Sequence, residues 1–311
     1  MGYKYVPVSP GSTKAPGATC KSDIFERRSL VSAYPLEETI MAAAKPAIVL
    51  IHGLWMTPLS WEHWIDRYRS KGYEVIAPGW PGVDDRTVEE IRADPKPMAN
   101  KSIGDIVDHY AAVVEALPTP PIIIGHSFGG LFAQILLSRG LGAAGVGICP
   151  AQPAGIFSLP FSTVKATTAI LTNPFNYAST VRISHKEYHY CFGNHLADEK
   201  DSAAAFDRYA IPSVAHVLWQ AALSGLSSGG DAHVDFKKEC RAPLLLVAAS
   251  KDHVVAQSTV QKEFDAYKKG DGQPVVEMKV FEGRSHGIVN QEGWAEVADF
   301  ALGFAEREIK K

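Results

Sequence analysis

PIIIGHSFGGLFAQILLSR, Pro121 to Arg139, joins two patterns at one point. Pro121 to Ile124 is short, apolar and β-branched, as expected of a strand buried on both faces. From Gly129 to Arg139 the apolar spacing is helical. Between them stands Gly125-His126-Ser127-Phe128-Gly129, a G-x-S-x-G pentapeptide. A serine hydroxyl is a weak nucleophile at its ordinary pKa. A sharp strand-to-helix turn lifts it clear of the backbone, with glycines where side chains would collide, and sets it at the positive end of a helix. Five such residues alone describe many glycine-rich turns. The strand before and the helix after single out Ser127 as a nucleophile.

Outward from this turn, apolar runs alternate with helical spacing. Strands are expected at Ala47 to Ile51, Tyr73 to Ala77, Ala143 to Cys149, Leu244 to Ala249 and Val275 to Phe281. Pro58 to Arg69 predicts a helix with Trp61, Trp64, Ile65 and Tyr68 on one face. Ser102 with Asp105 has capping-box spacing, ahead of Ile103, Ile106, Val107, Tyr110, Val113, Val114 and Leu117 at helical period. Asn290 to Glu306 predicts the last helix. This alternation is that of β-α-β units and a parallel sheet. The segment from Pro153 to Lys238 breaks it, is dense in aromatics, and is too long for a loop in a compact domain. The chain therefore divides into an N-terminal extension (1–45), a core built from 46–152 and 239–311, and a mostly helical lid (153–238).

Other residues complete a chemistry around Ser127. His52-Gly53-Leu54-Trp55 directly follows the run AIVLI. A tetrahedral acyl intermediate needs two N–H donors aimed at its oxyanion. Phe128, next to the serine, can supply one and Leu54 the other, with Gly53 allowing close approach. Asp252 follows the run LLLVAA and His286 follows VVEMKVF. Parallel strands bring such loops to one sheet edge, where ligands bind. Asp231 and Asp235 are rival acids, but neither directly follows a core strand.

Together HGLW, GHSFGG, SKDHVV and GRSHG resemble the α/β-hydrolase superfamily, nearest its cap-bearing esterase-like branch of lipases, lactonases, haloperoxidase-like enzymes and hydroxynitrile lyases. The resemblance runs from about Pro46 to the end. It implies an α/β-hydrolase fold: a mostly parallel central sheet flanked by helices, with a mainly helical cap inserted after the sixth core strand. It implies the order nucleophile, acid, histidine, hence Ser127, Asp252 and His286, and an oxyanion hole at Leu54 and Phe128. An HGGG run is missing, and the nucleophile is neither Asp nor Cys, which sets aside several other branches. The expected reaction is hydrolysis of a carboxylic ester or lactone of a small, largely apolar substrate through an acyl-enzyme. It requires no metal or organic cofactor. Carbon–carbon hydrolysis, perhydrolysis or cyanohydrin cleavage by the same triad are alternatives, as is a ligand-binding protein on this fold. A panel of p-nitrophenyl esters against those substrates separates them.

Trp55 and Met56 are expected to border the substrate pocket, and Phe157, Tyr188, Tyr190 and Trp219 to face it from the lid. His185, His189 and His195 cluster without a metal-site motif and read as solvent-facing or pocket-lining. The 311 residues carry a net charge of −3, with 46% hydrophobic and 21% charged. That leaves no basic field for nucleic acid. No stretch has the roughly 18 apolar residues of a membrane span. Met1 to Gly17 lacks the basic and apolar regions of a secretory signal. Cys20, Cys149, Cys191 and Cys240 are far apart and read as four free thiols in a reducing compartment, so a cytoplasmic location is expected. Oligomeric state is not legible in the sequence.

Overall fold

Ile48–Ile51 (β1) is four branched aliphatics without solvent exposure. On one side it pairs in parallel with Val75–Ile76 (β2), and on the other with Ile122–His126 (β3). The computed structural model describes residues 45–158, 160–224, 229–269 and 274–311. Ala144–Ile148 (β4) adds to β3, also in parallel. Thr180–Val181 (β5) and Ser213–Val214 (β6) form a separate antiparallel pair. Leu244–Ala249 (β7) joins β4, and Val276–Phe281 (β8) closes the large sheet. Its order is β2-β1-β3-β4-β7-β8. The chain thus runs outward from β1 to β2, then returns past β1 to build the other side. The reversal lies between β1 and β3, so the loops that follow these two strands meet at one crevice, where ligands bind in open α/β sheets.

Strand residues alternate between the two faces. Ile48, Leu50, Ile122, Ile124, Leu245 and Val247 pack with Trp61, with Trp64 and Tyr68 of Glu62–Ser70 (α1), and with the last helix. Val49, Ile51, Ile123, Leu244 and Leu246 face Val88–Ala93 (α2), Ile103–Glu115 (α3) and Phe128–Ser138 (α4). With both faces covered, the strands read as unbroken apolar runs. The segment between β4 and β7 holds Phe161–Leu171 (α5), His185–Tyr188 (α6), Ala203–Tyr209 (α7) and His216–Ser224 (α8) besides β5 and β6. Arg92 of α2 donates to the Phe206, Asp207 and Ala210 carbonyls at 2.9–3.0 Å. It thereby supplies the donors that the orphan carbonyls at the C-terminal end of α7 need and the positive charge that this end favours. Gln257–Tyr267 (α9) lies between β7 and β8, and Trp294–Ile309 (α10) ends the chain.

Several expectations are corrected. The lid segment follows β4, which is the fourth in chain order of the six strands described in the sheet. Pro58 to Arg69 is not one helix: Thr57 accepts from Leu59 N–H and starts a tight 3₁₀ turn, Pro58–Trp61, before α1. The last helix begins at Trp294, because Ile288, Asn290 and Gln291 donate back to Ser285 and Gly287 in turns that shape the loop carrying His286. Helix α9 went unread because its buried face mixes Thr259 and Glu263 with Val260 and Tyr267, which blurs the apolar period. The Ser102–Asp105 capping box is present. Cys149 and Cys191 are free and buried, but Cys240 is disulfide-bonded, so the reading of four free thiols fails. Cys20 lies outside the described residues, as does most of the N-terminal extension. Disulfides are rare in a reducing cytosol, so the cysteine argument for a cytoplasmic location fails too. No helix among the described residues is long and apolar enough to cross a membrane.

Candidate active site

Ser127 sits between β3 and α4 with φ 56° and ψ −119°. That is left-handed territory, which a non-glycine residue occupies only when its surroundings impose it. They do so here through three backbone hydrogen bonds at 2.9 Å: Ser127 N–H to Ile148 O, and Gly130 and Ala151 N–H to Ser127 O. The flanking glycines are sterically compelled. A Cβ on Gly125 would lie 1.9 Å from Gly129 O, and one on Gly129 would lie 2.1 Å from Ile51 O. The helix that begins at Phe128 points its positive end at the serine.

The loop after β1 comes against this turn. A Cβ on Gly53 would sit 2.8 Å from Ser127 Cβ, so only glycine permits the approach. Leu54 and Phe128 border one small cavity together with Ser127 and His286. Neither the Leu54 nor the Phe128 N–H donates to an acceptor among the described residues. His52 holds the loop. Its Nδ1 donates to Gly53 O at 2.9 Å, its Nε2 accepts from Trp80 N at 3.3 Å, and its ring stacks on Trp80. Burial lowers its pKa to about 4, so the ring is neutral, as this pair of bonds requires.

Asp252 and His286 lie in the loops that follow β7 and β8, both buried. His286 Nδ1 is 2.6 Å from Asp252 Oδ2. Asp252 Oδ1 accepts from Val254 and Val255 N–H at 2.7 and 2.8 Å. Three donors thus hold a carboxylate, which fixes the imidazole proton on Nδ1 and leaves the Nε2 lone pair free. His286 Nε2 has no hydrogen-bond partner among the described residues. The rivals are elsewhere. Asp231 accepts from Gln220 and from Gly104 N–H at the start of α3, and Asp235 accepts from Lys237 N–H.

Three supports had no role assigned from sequence. His126 Nε2 donates to the His286 carbonyl at 2.9 Å and packs on its ring, with burial holding it neutral. Ser285 donates to Phe192 O and accepts from Gly287 N–H, while His195 Nδ1 meets the same hydroxyl at 2.9 Å. Cys149, with φ 44°, offers its sulfur within 4.8 Å of ligand atoms on Asp252 and His286. Burial and the Asp252 charge push its thiol far above the usual range, so it stays protonated. His126 was legible inside the pentapeptide. The other two needed the fold, since they meet residues 90 or more positions away.

Cys149, Asp252 and His286 are the group of metal-capable side chains found among the described residues. Their closest pair already shares a proton at 2.6 Å, the arrangement of an acid and a base rather than of ligands around an ion. His185 and His189 instead converge on Ser202 Oγ at 3.2 and 3.1 Å.

The residues expected at the substrate pocket fall in different places. Trp55 borders the small cavity with Ser127 and His286. Met56 and Tyr188 face a separate cleft of about 670 Å³ with His195 and Arg284. Phe157 is 55% exposed. Tyr190 packs at a tilt on His253, and Trp219 packs by Tyr177. None of these last four lines a cavity with Ser127. Side chains of α5 and α8 do: Thr163, Thr167 and Leu171, with Leu218 and Ala221. They were passed over because none is aromatic.

Residues 48–300 match the model of a family described as the alpha/beta hydrolase family. The chain belongs to the alpha/beta hydrolase family. No curated protein matches it in sequence. Solved structures of other alpha/beta hydrolases share its fold. A monoacylglycerol lipase of Paleococcus ferrophilus is 18% identical, with TM-score 0.57 over 86% of this chain and 96% of its own. Tomato methylketone synthase I, complexed with 2-tridecanone, is 18% identical, with TM-score 0.59 over 85% and 99%. A pyrethroid hydrolase from Sphingobium faniae is 15% identical, with TM-score 0.58 over 86% and 99%. At these identities the likeness speaks for the fold. What an alpha/beta hydrolase does is set by the side chains grafted on it.

Proposed function

We propose that this family member is a serine hydrolase that cleaves a carboxylic ester or lactone through an acyl-enzyme. One observation carries the reading: a buried His286 bonded at Nδ1 to a carboxylate that has, among the described residues, no other charged partner, its Nε2 likewise uncommitted among them, bordering the same small cavity as a conformationally forced Ser127. Ser127 Oγ attacks the carbonyl carbon as His286 Nε2 takes its proton. Asp252 holds the imidazole tautomer and stabilises the imidazolium. The Leu54 and Phe128 N–H groups receive the oxyanion, in a dry site where such bonds are strongest. His286 then protonates the leaving alkoxide and activates water to free the acid. Residues 153–238 act as the lid, since α5 and α8 wall the space beside Ser127.

A fluorophosphonate should label Ser127 alone among the serines. Ser127→Ala should abolish labelling and lower kcat on any ester turned over by about 10⁴- to 10⁶-fold, because triad members act as a unit. A label mapped to another serine, or an unimpaired Ser127→Ala enzyme, would end the proposal. An ester and lactone panel on the labelled protein separates the two substrate classes.

A further inference from the structure

Next to Ser127 lies a cavity of about 100 Å³ that Phe128 also borders but His286 does not. In the proposed reaction the leaving alcohol must lie beside His286 Nε2, which protonates it. The acyl group therefore extends the other way, into this cavity. The space admits a short chain rather than a fatty tail. Leu171, Leu218, Ala221 and Val255 make most of its wall apolar.

Hydroxyls interrupt that wall. Thr163 Oγ1 is buried and has no hydrogen-bond partner among the described residues, although Thr167 one turn on donates to the Thr163 carbonyl at 2.9 Å. Ser158 and Thr259, 4% and 3% exposed, face each other with their oxygens 2.8 Å apart. That pair brings two hydroxyl protons and uses one between its members. The other makes no hydrogen bond to an acceptor among the described residues. Buried polar groups are normally paired, and leaving one unpaired is costly. A purely alkyl acyl group would seal two donors away without acceptors. An acyl group with an oxygen a few bonds from its carbonyl would satisfy them.

We infer that this cavity is an acyl subsite for short oxo- or hydroxy-substituted acids, with Thr163 and the Ser158–Thr259 pair donating to the substrate's distal oxygen. The inference rests on the serine-hydrolase reading and narrows its largely apolar substrate to one with a polar tip. Sites built to bond a substrate oxygen reject analogues that lack it, whereas apolar pockets discriminate weakly.

The test compares p-nitrophenyl 4-oxopentanoate with p-nitrophenyl 4-methylpentanoate, which have the same branching and heavy-atom count, each corrected for its hydroxide rate. The ratio of kcat/KM values is the readout, so loss of folded protein cancels. The wild type should favour the oxo ester by roughly tenfold or more. Thr163→Val and Ser158→Ala should each lower that ratio severalfold. A wild-type ratio of one or below, or a ratio that neither variant lowers, overturns the subsite while fluorophosphonate labelling of Ser127 leaves the hydrolase reading standing. Absence of both labelling and ester turnover overturns that reading and the subsite with it.

Discussion

Ser127 occupies a backbone conformation that costs on the order of 1–3 kcal/mol, and its backbone hydrogen bonds hold it there. The acid is the residue where rival sequence readings could be separated by geometry. Asp252 bonds His286, whereas Asp231 caps α3 and Asp235 bonds its own turn. Asp252→Asn should leave the far-ultraviolet circular dichroism and unfolding midpoint close to wild type and lower kcat by about 10⁴-fold, because an amide cannot fix the Nδ1–H tautomer. Asp231→Asn and Asp235→Asn should alter kcat less than about threefold. Steady-state kinetics on the three variants decides the matter. An inactive Asp235→Asn enzyme beside an active Asp252→Asn enzyme would displace the acid.

At the scale of elements, α5 and α8 carry the wall beside Ser127, and the aromatic residues singled out from the lid sequence do not. Leu218 of α8 borders both cavities that hold Ser127. Leu218→Ala opens space in the proposed acyl subsite, so kcat/KM for hexanoyl relative to butanoyl esters should rise about tenfold or more, as one or two methylenes are worth. Phe157→Ala, at an exposed position that touches neither cavity, should leave the chain-length order as it is. A chain-length series on both variants checks this. A shifted order in Phe157→Ala with none in Leu218→Ala would mean that other elements shape the pocket. The α3 capping box was legible because its partners are three residues apart. The α5 and α8 wall was not, because nothing local shows which face of a helix meets a cavity.

Over the whole molecule, two buried neutral histidines couple folding to pH. His52 has its pKa lowered by burial from 6.5 to about 4, and His126 is lowered too. A histidine with a depressed folded-state pKa binds its proton more readily when unfolded. Stability from His52 is therefore complete above pH 6.5 and declines as pH falls toward 4, a loss of about 3 kcal/mol for that group alone. Urea unfolding at pH 7.5, 5.5 and 4.5 should show this decline, and His52→Gln should flatten it. An unchanged slope in that variant would place the acid sensitivity elsewhere.

Chemistry-bearing residues were readable one by one wherever short-range steric or hydrogen-bond rules compel them. Gly125 and Gly129 admit no side chain, Ser127 needs a strand before it and a helix after it, and the apolar runs must be buried on both faces. The order of the loops was enough to nominate Asp252 and His286. Only the tertiary structure could decide relations across long stretches of chain. It set Cys149 beside Asp252, tied His195 to Ser285, bonded Cys240 in a disulfide, and turned Thr163 and Ser158 rather than Tyr188 and Trp219 toward the cavities at Ser127. The reason is physical. Propensity and periodicity act over a turn or a strand, whereas burial, pocket lining and cross-links depend on how elements tens of residues apart pack against one another.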